Sequence, residues 1–248
     1  TGIAAAQDTA AVNWPLSSVS TTAPVVSGQL TGDAEKFVNT EVNQYTGFNS
    51  SQRIRIVGNT WPLNQTTIID TVFVQFTARP KAGIAFTVKQ VKVYLAGNSG
   101  SNMRAKVFIS ADSTFATKTE IYSGAASLPN NTAFDSAIAA VNTVVPAGGA
   151  YFVRVYPWLH NQTGSNTGKY LLLQNITIAG TTTGSAVVNL PVLTTTAASN
   201  ISTTFAVTGG NITNDGGALV TSRGVCYDTT AAPTTSSSVV NTGTGSGA

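Results

Sequence analysis
The sequence predicts an all-β protein built from antiparallel β-sandwiches, and three observations carry that reading. Apolar residues make up 42 % of the 248-residue chain but come in short runs, such as Thr71-Val-Phe-Val-Gln-Phe76 and Tyr151-Phe-Val-Arg-Val-Tyr156, that suit strands. Turn-forming clusters, such as Arg79-Pro-Lys-Ala-Gly83 and Gly97-Asn-Ser-Gly100, separate those runs. Every candidate helical window is broken by Gly or Pro or is rich in Thr and Val, whose branched side chains fit a pleated sheet better than a helix.

Taken in order, strand signals fall at 71–78, 84–95, 102–111, 118–123, 138–145, 150–158 and 168–179. Seven or more short strands with turn punctuation make an antiparallel sandwich. Residues 28–66 carry a weaker pattern, in which Asp33–Tyr45 reads either as a short helix or as an extended edge segment. The composition changes after Gly180. Thr181-Thr-Thr-Gly-Ser185 reads as a linker and Leu190-Pro-Val-Leu-Thr-Thr-Thr196 as the first strand of a second domain, followed by strands near 202–208 and 219–227. The expected division is therefore 1–183 and 184–248. The second domain, with three or four strands in about 60 residues, is small for a sandwich and reads as incomplete.

Charge and cysteine content exclude several function classes. Charged residues are only 9 % of the chain, against about a quarter in an average soluble protein. The high apolar content still permits a core, which excludes a disordered chain. Twelve of the thirteen Lys and Arg residues lie between Lys36 and Lys169, and the net charge of +3 is too weak and dispersed for a nucleic-acid binder. The single cysteine, Cys226, cannot form an intrachain disulfide, and no Cys/His cluster has metal-ligand spacing. Cys226 is expected to be a small buried residue of its strand. No apolar stretch approaches the roughly 20 residues of a membrane helix. A chain that begins at Thr1 with no signal peptide reads as a mature, processed product.

Two sets of residues resemble known bacterial modules. Gly209-Gly-Asn-Ile-Thr-Asn-Asp-Gly-Gly217, then Val220-Thr-Ser-Arg-Gly-Val-Cys-Tyr227 and Ala232-Pro-Thr234, resemble the fibronectin-type-III-like repeats of secreted Bacteroidota proteins. The later strands of those repeats, with their aromatic-rich segment, are not matched here. Over residues 10–180, Trp14-Pro-Leu16, Gln52-Arg53, Trp61-Pro62, Val74-Gln-Phe76, Asn102-Met-Arg-Ala105, Tyr156-Pro-Trp158 and Gly168-Lys-Tyr170 run in the order found in jelly-roll accessory modules of pectate-lyase-type proteins. The resemblance implies a jelly-roll-like sandwich followed by a partial immunoglobulin- or fibronectin-III-like domain. It also implies an accessory role beside an enzyme, and carries over no ligand residue.

Strand alternation gives a separate route to a binding face. In 150–158, Phe152, Arg154, Tyr156 and Trp158 share one side, opposite Tyr151, Val153 and Val155. In 102–109, Arg104, Lys106 and Phe108 oppose Met103, Ala105, Val107 and Ile109, and in 91–95 Lys92 and Tyr94 oppose Val91, Val93 and Leu95. Rings stack on the apolar faces of sugars, and guanidinium groups pair with carboxylates. The candidate carbohydrate-binding residues are therefore Arg104, Lys106, Arg154, Tyr156, Trp158 and Lys169. Against this stands the commoner role of such residues in cross-strand packing and surface solvation.

Catalytic chemistry is poorly supplied. The one histidine, His160, lies in a loop-like run, and no Gly-x-Ser-x-Gly elbow is present. Glu35, Glu41 and Glu120 sit in Lys/Thr-rich contexts that read as exposed, not as a paired acid and nucleophile. No catalytic residue, cofactor or metal is expected.

Five of the seven aspartates are followed by Ser or Thr and then a small, apolar or Thr residue, a pattern that resembles the O-glycosylation acceptor of exported Bacteroidota proteins. The acceptors would be Thr9, Thr71, Ser113, Ser136 and Thr229, provided each is exposed. The expected function is a non-catalytic, extracellular or cell-surface carbohydrate-binding module for an acidic polysaccharide such as pectin, in a larger secreted or surface protein. Its partners would be a polysaccharide or surface glycan, with no nucleic acid and no membrane insertion. The alternative is a structural stalk, adhesin or filament subunit that meets neighbouring copies of itself.

Overall fold
A computed structural model describes residues 8–17, 23–44, 48–98, 102–131, 133–185, 187–217 and 220–247. The chain is nearly all β, as its composition predicts, and divides after Ser185 into two compact units.

The described residues of the first unit form thirteen strands: β1 (Asp8–Trp14), β2 (Val25–Ser27), β3 (Leu30–Gly32), β4 (Lys36–Val38), β5 (Thr40–Gln44), β6 (Gln52–Ile56), β7 (Phe73–Pro80), β8 (Ile84–Asn98), β9 (Met103–Ser110), β10 (Thr119–Tyr122), β11 (Asp135–Val145), β12 (Tyr151–Leu159) and β13 (Tyr170–Gly184). They form two antiparallel sheets. In one the order is β11-β8-β13-β1-β2, with β6 also on β13 and β5 beyond it; in the other it is β10-β9-β12-β7-β3, with β4 also on β7.

All seven strands expected between 71 and 179 are present. The N-terminal third, which carried the weaker signal, is extended as well. Asp33–Tyr45 contributes β4 and β5 instead of a helix, Tyr45 itself lying outside the described residues. Ser99 and Gly100 of the expected Gly97–Gly100 turn also lie outside them. One assignment in this unit changes. Thr181–Gly184, read as linker, ends β13, where it pairs with Thr87–Ile84 of β8; its three threonines suit a strand once a partner is present. β1 pairs with residues 176–182 of the same strand, so the two ends of the unit lie side by side. β13 exchanges β6 for β1 at Asn175, which takes a positive φ of 48°.

The core lies between the sheets. Val12, Trp14, Val91, Val93, Leu171 and Ile178 from the first meet Val74, Phe76, Val107, Val153 and Val155 from the second, as period-two alternation dictates. Trp14 and Phe76 pack edge to face at 5.3 Å. A second, smaller cluster, Phe73, Phe108, Phe115, Phe152 and Tyr156, lies on the outer face of the β12 sheet.

The second unit consists of two hairpins, β14 (Val192–Ser199) with β15 (Val207–Asn214) and β16 (Arg223–Tyr227) with β17 (Ser238–Gly243). Residues expected as a strand at 202–208 mostly form the turn before β15, and β17 arises in a Ser/Thr-rich stretch with no clear strand signal. None of the unit's described residues is buried, and Leu190 and Ile201 are 89 % and 74 % exposed. Cys226 is accordingly half-exposed, not buried as expected, on a two-stranded sheet that buries none of its described residues.

Candidate functional site
Cross-strand register brings five of the six sequence-predicted residues onto one face. Arg154 of β12 lies opposite Phe108 of β9, Tyr156 opposite Lys106, and Trp158 opposite Arg104. Lys169 is not among them; it precedes β13 in the other sheet, where its carbonyl accepts the Trp61 indole N–H at 2.9 Å.

That face is partly roofed, with Arg104, Lys106 and Arg154 left half-exposed. The 111–118 loop folds over it and buries Phe115 against Phe152, with ring centroids 6.1 Å apart. Arg154 sits between two rings, its guanidinium carbon 3.8 Å from the Phe115 centroid and 4.3 Å from that of Phe73. Its Nε donates to Gln75 Oε1 at 2.7 Å and one terminal nitrogen to the Ser113 carbonyl at 3.1 Å. Tyr156 and Trp158 are each 3 % exposed, too little for a ring to lie against a sugar. Lys106 is ion-paired to Glu120 at 3.0 Å. The Arg104 guanidinium points at the Gly124 carbonyl, 3.4 Å away. Neighbouring groups take up most of these polar atoms, although Arg104 Nε is buried without a hydrogen-bond partner, and the loop that roofs the face is the part local alternation does not reveal.

The outer face of the opposite sheet is more open. Alternation placed Lys92 and Tyr94 there, and both are half-exposed on β8. Register sets Tyr94 beside Gln174 of β13 and Lys92 beside Thr177. On the far side of β13, Arg53 of β6 pairs with Leu172 and carries its guanidinium 5.0 Å above the Tyr170 ring. Both Arg53 and Tyr170 are half-exposed, although Arg53 Nε itself is buried without a hydrogen-bond partner. Between the two Tyr positions the 3-10 turn Phe48–Ser50 is tied down by Gln174, whose Nε2 donates to the Asn49 carbonyl at 2.7 Å, and Phe48 stacks on Phe134 at 5.9 Å. Sequence reasoning passed over Arg53 and Tyr170 because the β6–β13 pairing joins residues more than a hundred positions apart.

The carboxylates are dispersed. Glu41 pairs with Arg55 at 2.7 Å, and Glu120 with Lys106. Glu35, read as exposed, is 8 % exposed, and its Oε1 accepts from Gln52 Nε2 at 2.5 Å. Burial pushes its carboxyl up to about 7, partly opposed by the Gln52 bond. His160 is half-exposed beside Asn161, with Nε2 3.1 Å from the amide nitrogen. Among the described residues no group of three or more His, Cys, Asp or Glu side chains could hold a metal ion, and no helix is long and apolar enough to cross a membrane.

All five expected glycan acceptors are exposed. Thr9 is at the start of β1, Ser136 near that of β11, and Thr71, Ser113 and Thr229 lie in turns.

No family model matches the sequence, and no curated protein matches it. Among solved structures, a family two carbohydrate esterase from Cellvibrio japonicus is similar at 15 % identity and a TM-score of 0.27, over 74 % of this chain and 37 % of that one. A likeness at that level carries no functional argument.

Proposed function
We propose that the first unit is a non-catalytic, extracellular module that binds an acidic polysaccharide such as pectin, as an accessory part of a larger secreted or surface protein of the Bacteroidota type. The observation that carries this reading is the half-exposed Arg53–Tyr170 pair, with Tyr94 and Lys92 on the same outer sheet face. A ring offers a sugar its flat apolar side, and a guanidinium offers a carboxylate two parallel N–H donors. The reading keeps the ligand class expected from the sequence and moves the contact surface to the other sheet.

The test is retention of the full chain on a polysaccharide series that includes de-esterified pectin. Arg53→Ala and Tyr170→Ala are each expected to weaken binding about tenfold, the equivalent of roughly 1.4 kcal/mol, and added salt is expected to weaken it further. Retention that both variants leave unchanged would remove this surface from consideration.

A structural stalk, adhesin or filament subunit is the second reading. It is favoured by the apolar side chains that the second unit exposes on two-stranded sheets, a surface suited to taking up a strand from a neighbour. Absence of retention on every glycan, together with assembly of the purified protein into oligomers, would favour it.

Either role is compatible with O-glycans on Thr9, Thr71, Ser113, Ser136 and Thr229. Intact-mass analysis of this 248-residue chain, expressed in and exported by its native host, is expected to exceed its 25.5 kDa polypeptide mass. A native chain at its bare polypeptide mass would end the glycan proposal.

A further inference from the structure
Glu35 lies between β3 and β4, which both pair with β7, whereas Gln52 opens β6 of the opposite sheet. The hydrogen bond between them is therefore a polar tie across the sandwich. It is incomplete as recorded, because Glu35 Oε2 and Gln52 Oε1 are both buried without a hydrogen-bond partner. Two buried acceptors with no donor would each cost about 1–3 kcal/mol.

We propose that Glu35 is held as a neutral carboxylic acid that closes a cyclic acid–amide pair with Gln52, making this tie a pH-sensitive joint between the sheets. The Gln52 N–H donates to Oε1, and the added proton on Oε2 donates to Gln52 Oε1. One proton taken from solvent thus satisfies both orphaned oxygens and removes a buried charge.

The charged groups around the joint are occupied elsewhere. On its own segment Asp33 pairs with Arg79 of β7 at 3.0 Å, and Lys36 is exposed. Glu41 of β5 pairs with Arg55 of β6, and Arg53 faces outward over Tyr170. The upward shift of Glu35 has burial as its cause and the Gln52 bond as its only opponent. With a folded-state value of about 7 against an ordinary 4.5, the folded protein binds the extra proton between those values. The stabilisation is complete below the ordinary value and is lost as pH rises through about 7. Across that window the folding equilibrium changes by at most about 300-fold.

The chain has three glutamates, Glu35, Glu41 and Glu120, so carboxyl-13C-glutamate labelling of the full chain gives a three-signal NMR titration. The Glu35 signal is expected to have a midpoint near neutrality and to vanish in Glu35→Gln, which retains an amide–amide pair. Denaturant unfolding of the wild type relative to Glu35→Gln is expected to lose stability from about pH 4.5 to 7 and to level off above that. Absence of any glutamate signal with a midpoint near neutrality in the folded wild type would overturn the proposal even if Glu35→Gln failed to fold. An identical pH slope in wild type and variant would also overturn it.

Discussion

Trp158→Ala is expected to destabilise the first unit by about 3–5 kcal/mol, the range for removing a large aromatic side chain from a packed site. Trp158 is 3 % exposed, and its ring crosses Gly124 so closely that a Cβ there would lie 2.5 Å from the ring edge. Gly124 has φ +62°, so the chain passes beneath the indole in a conformation that glycine adopts without strain. Deleting the ring leaves a cavity between that turn and β12. All three tryptophans, Trp14, Trp61 and Trp158, belong to the first unit, so the two that remain report its urea unfolding by fluorescence. A loss below about 1 kcal/mol, with glycan binding abolished, would return Trp158 to the role of ligand platform.

Trp14→Ala is expected to cost at least as much. Trp14 is fully buried, packs edge to face on Phe76 across the two sheets, and donates its indole N–H to the Asp33 carbonyl at 2.9 Å. The substitution removes the ring, at a cavity cost of about 3–5 kcal/mol, and takes the indole donor from that carbonyl. Asp33 N–H is bonded to the Thr77 carbonyl, so the disturbance would reach β7. Because a domain's whole stability is about 5–15 kcal/mol, the variant is expected to populate unfolded first unit without denaturant. A cooperative urea transition within about 1 kcal/mol of wild type would show that β1 is dispensable to the core.

The candidate surface was partly legible. Period-two alternation put Phe152, Arg154, Tyr156 and Trp158 together, and put Lys92 and Tyr94 opposite Val91 and Val93; both groupings appear in the structure. What alternation could not supply was the cover on each face. The β12 face is roofed by Phe115, a residue from a loop whose polar composition reads as surface. Glu35 shows the same limit in reverse. Its neighbour Lys36 is exposed, and only Gln52, supplied by the opposite sheet, reveals the carboxyl as interior.

The sequence by itself determined the class of fold, the strands from β7 to β13 and the side of each strand that a residue takes. Those follow from local chemistry, since β-branched and aromatic residues at period two, broken by Gly and Pro, leave the backbone few other choices. The tertiary structure alone decided the pairing of β1 and β6 with β13, the partial roofing of the Arg154 face, the open setting of Arg53 and Tyr170, and the burial of Glu35. Each depends on contacts between residues distant in the chain, where burial and partner choice are properties of the packed sheets and not of any local segment.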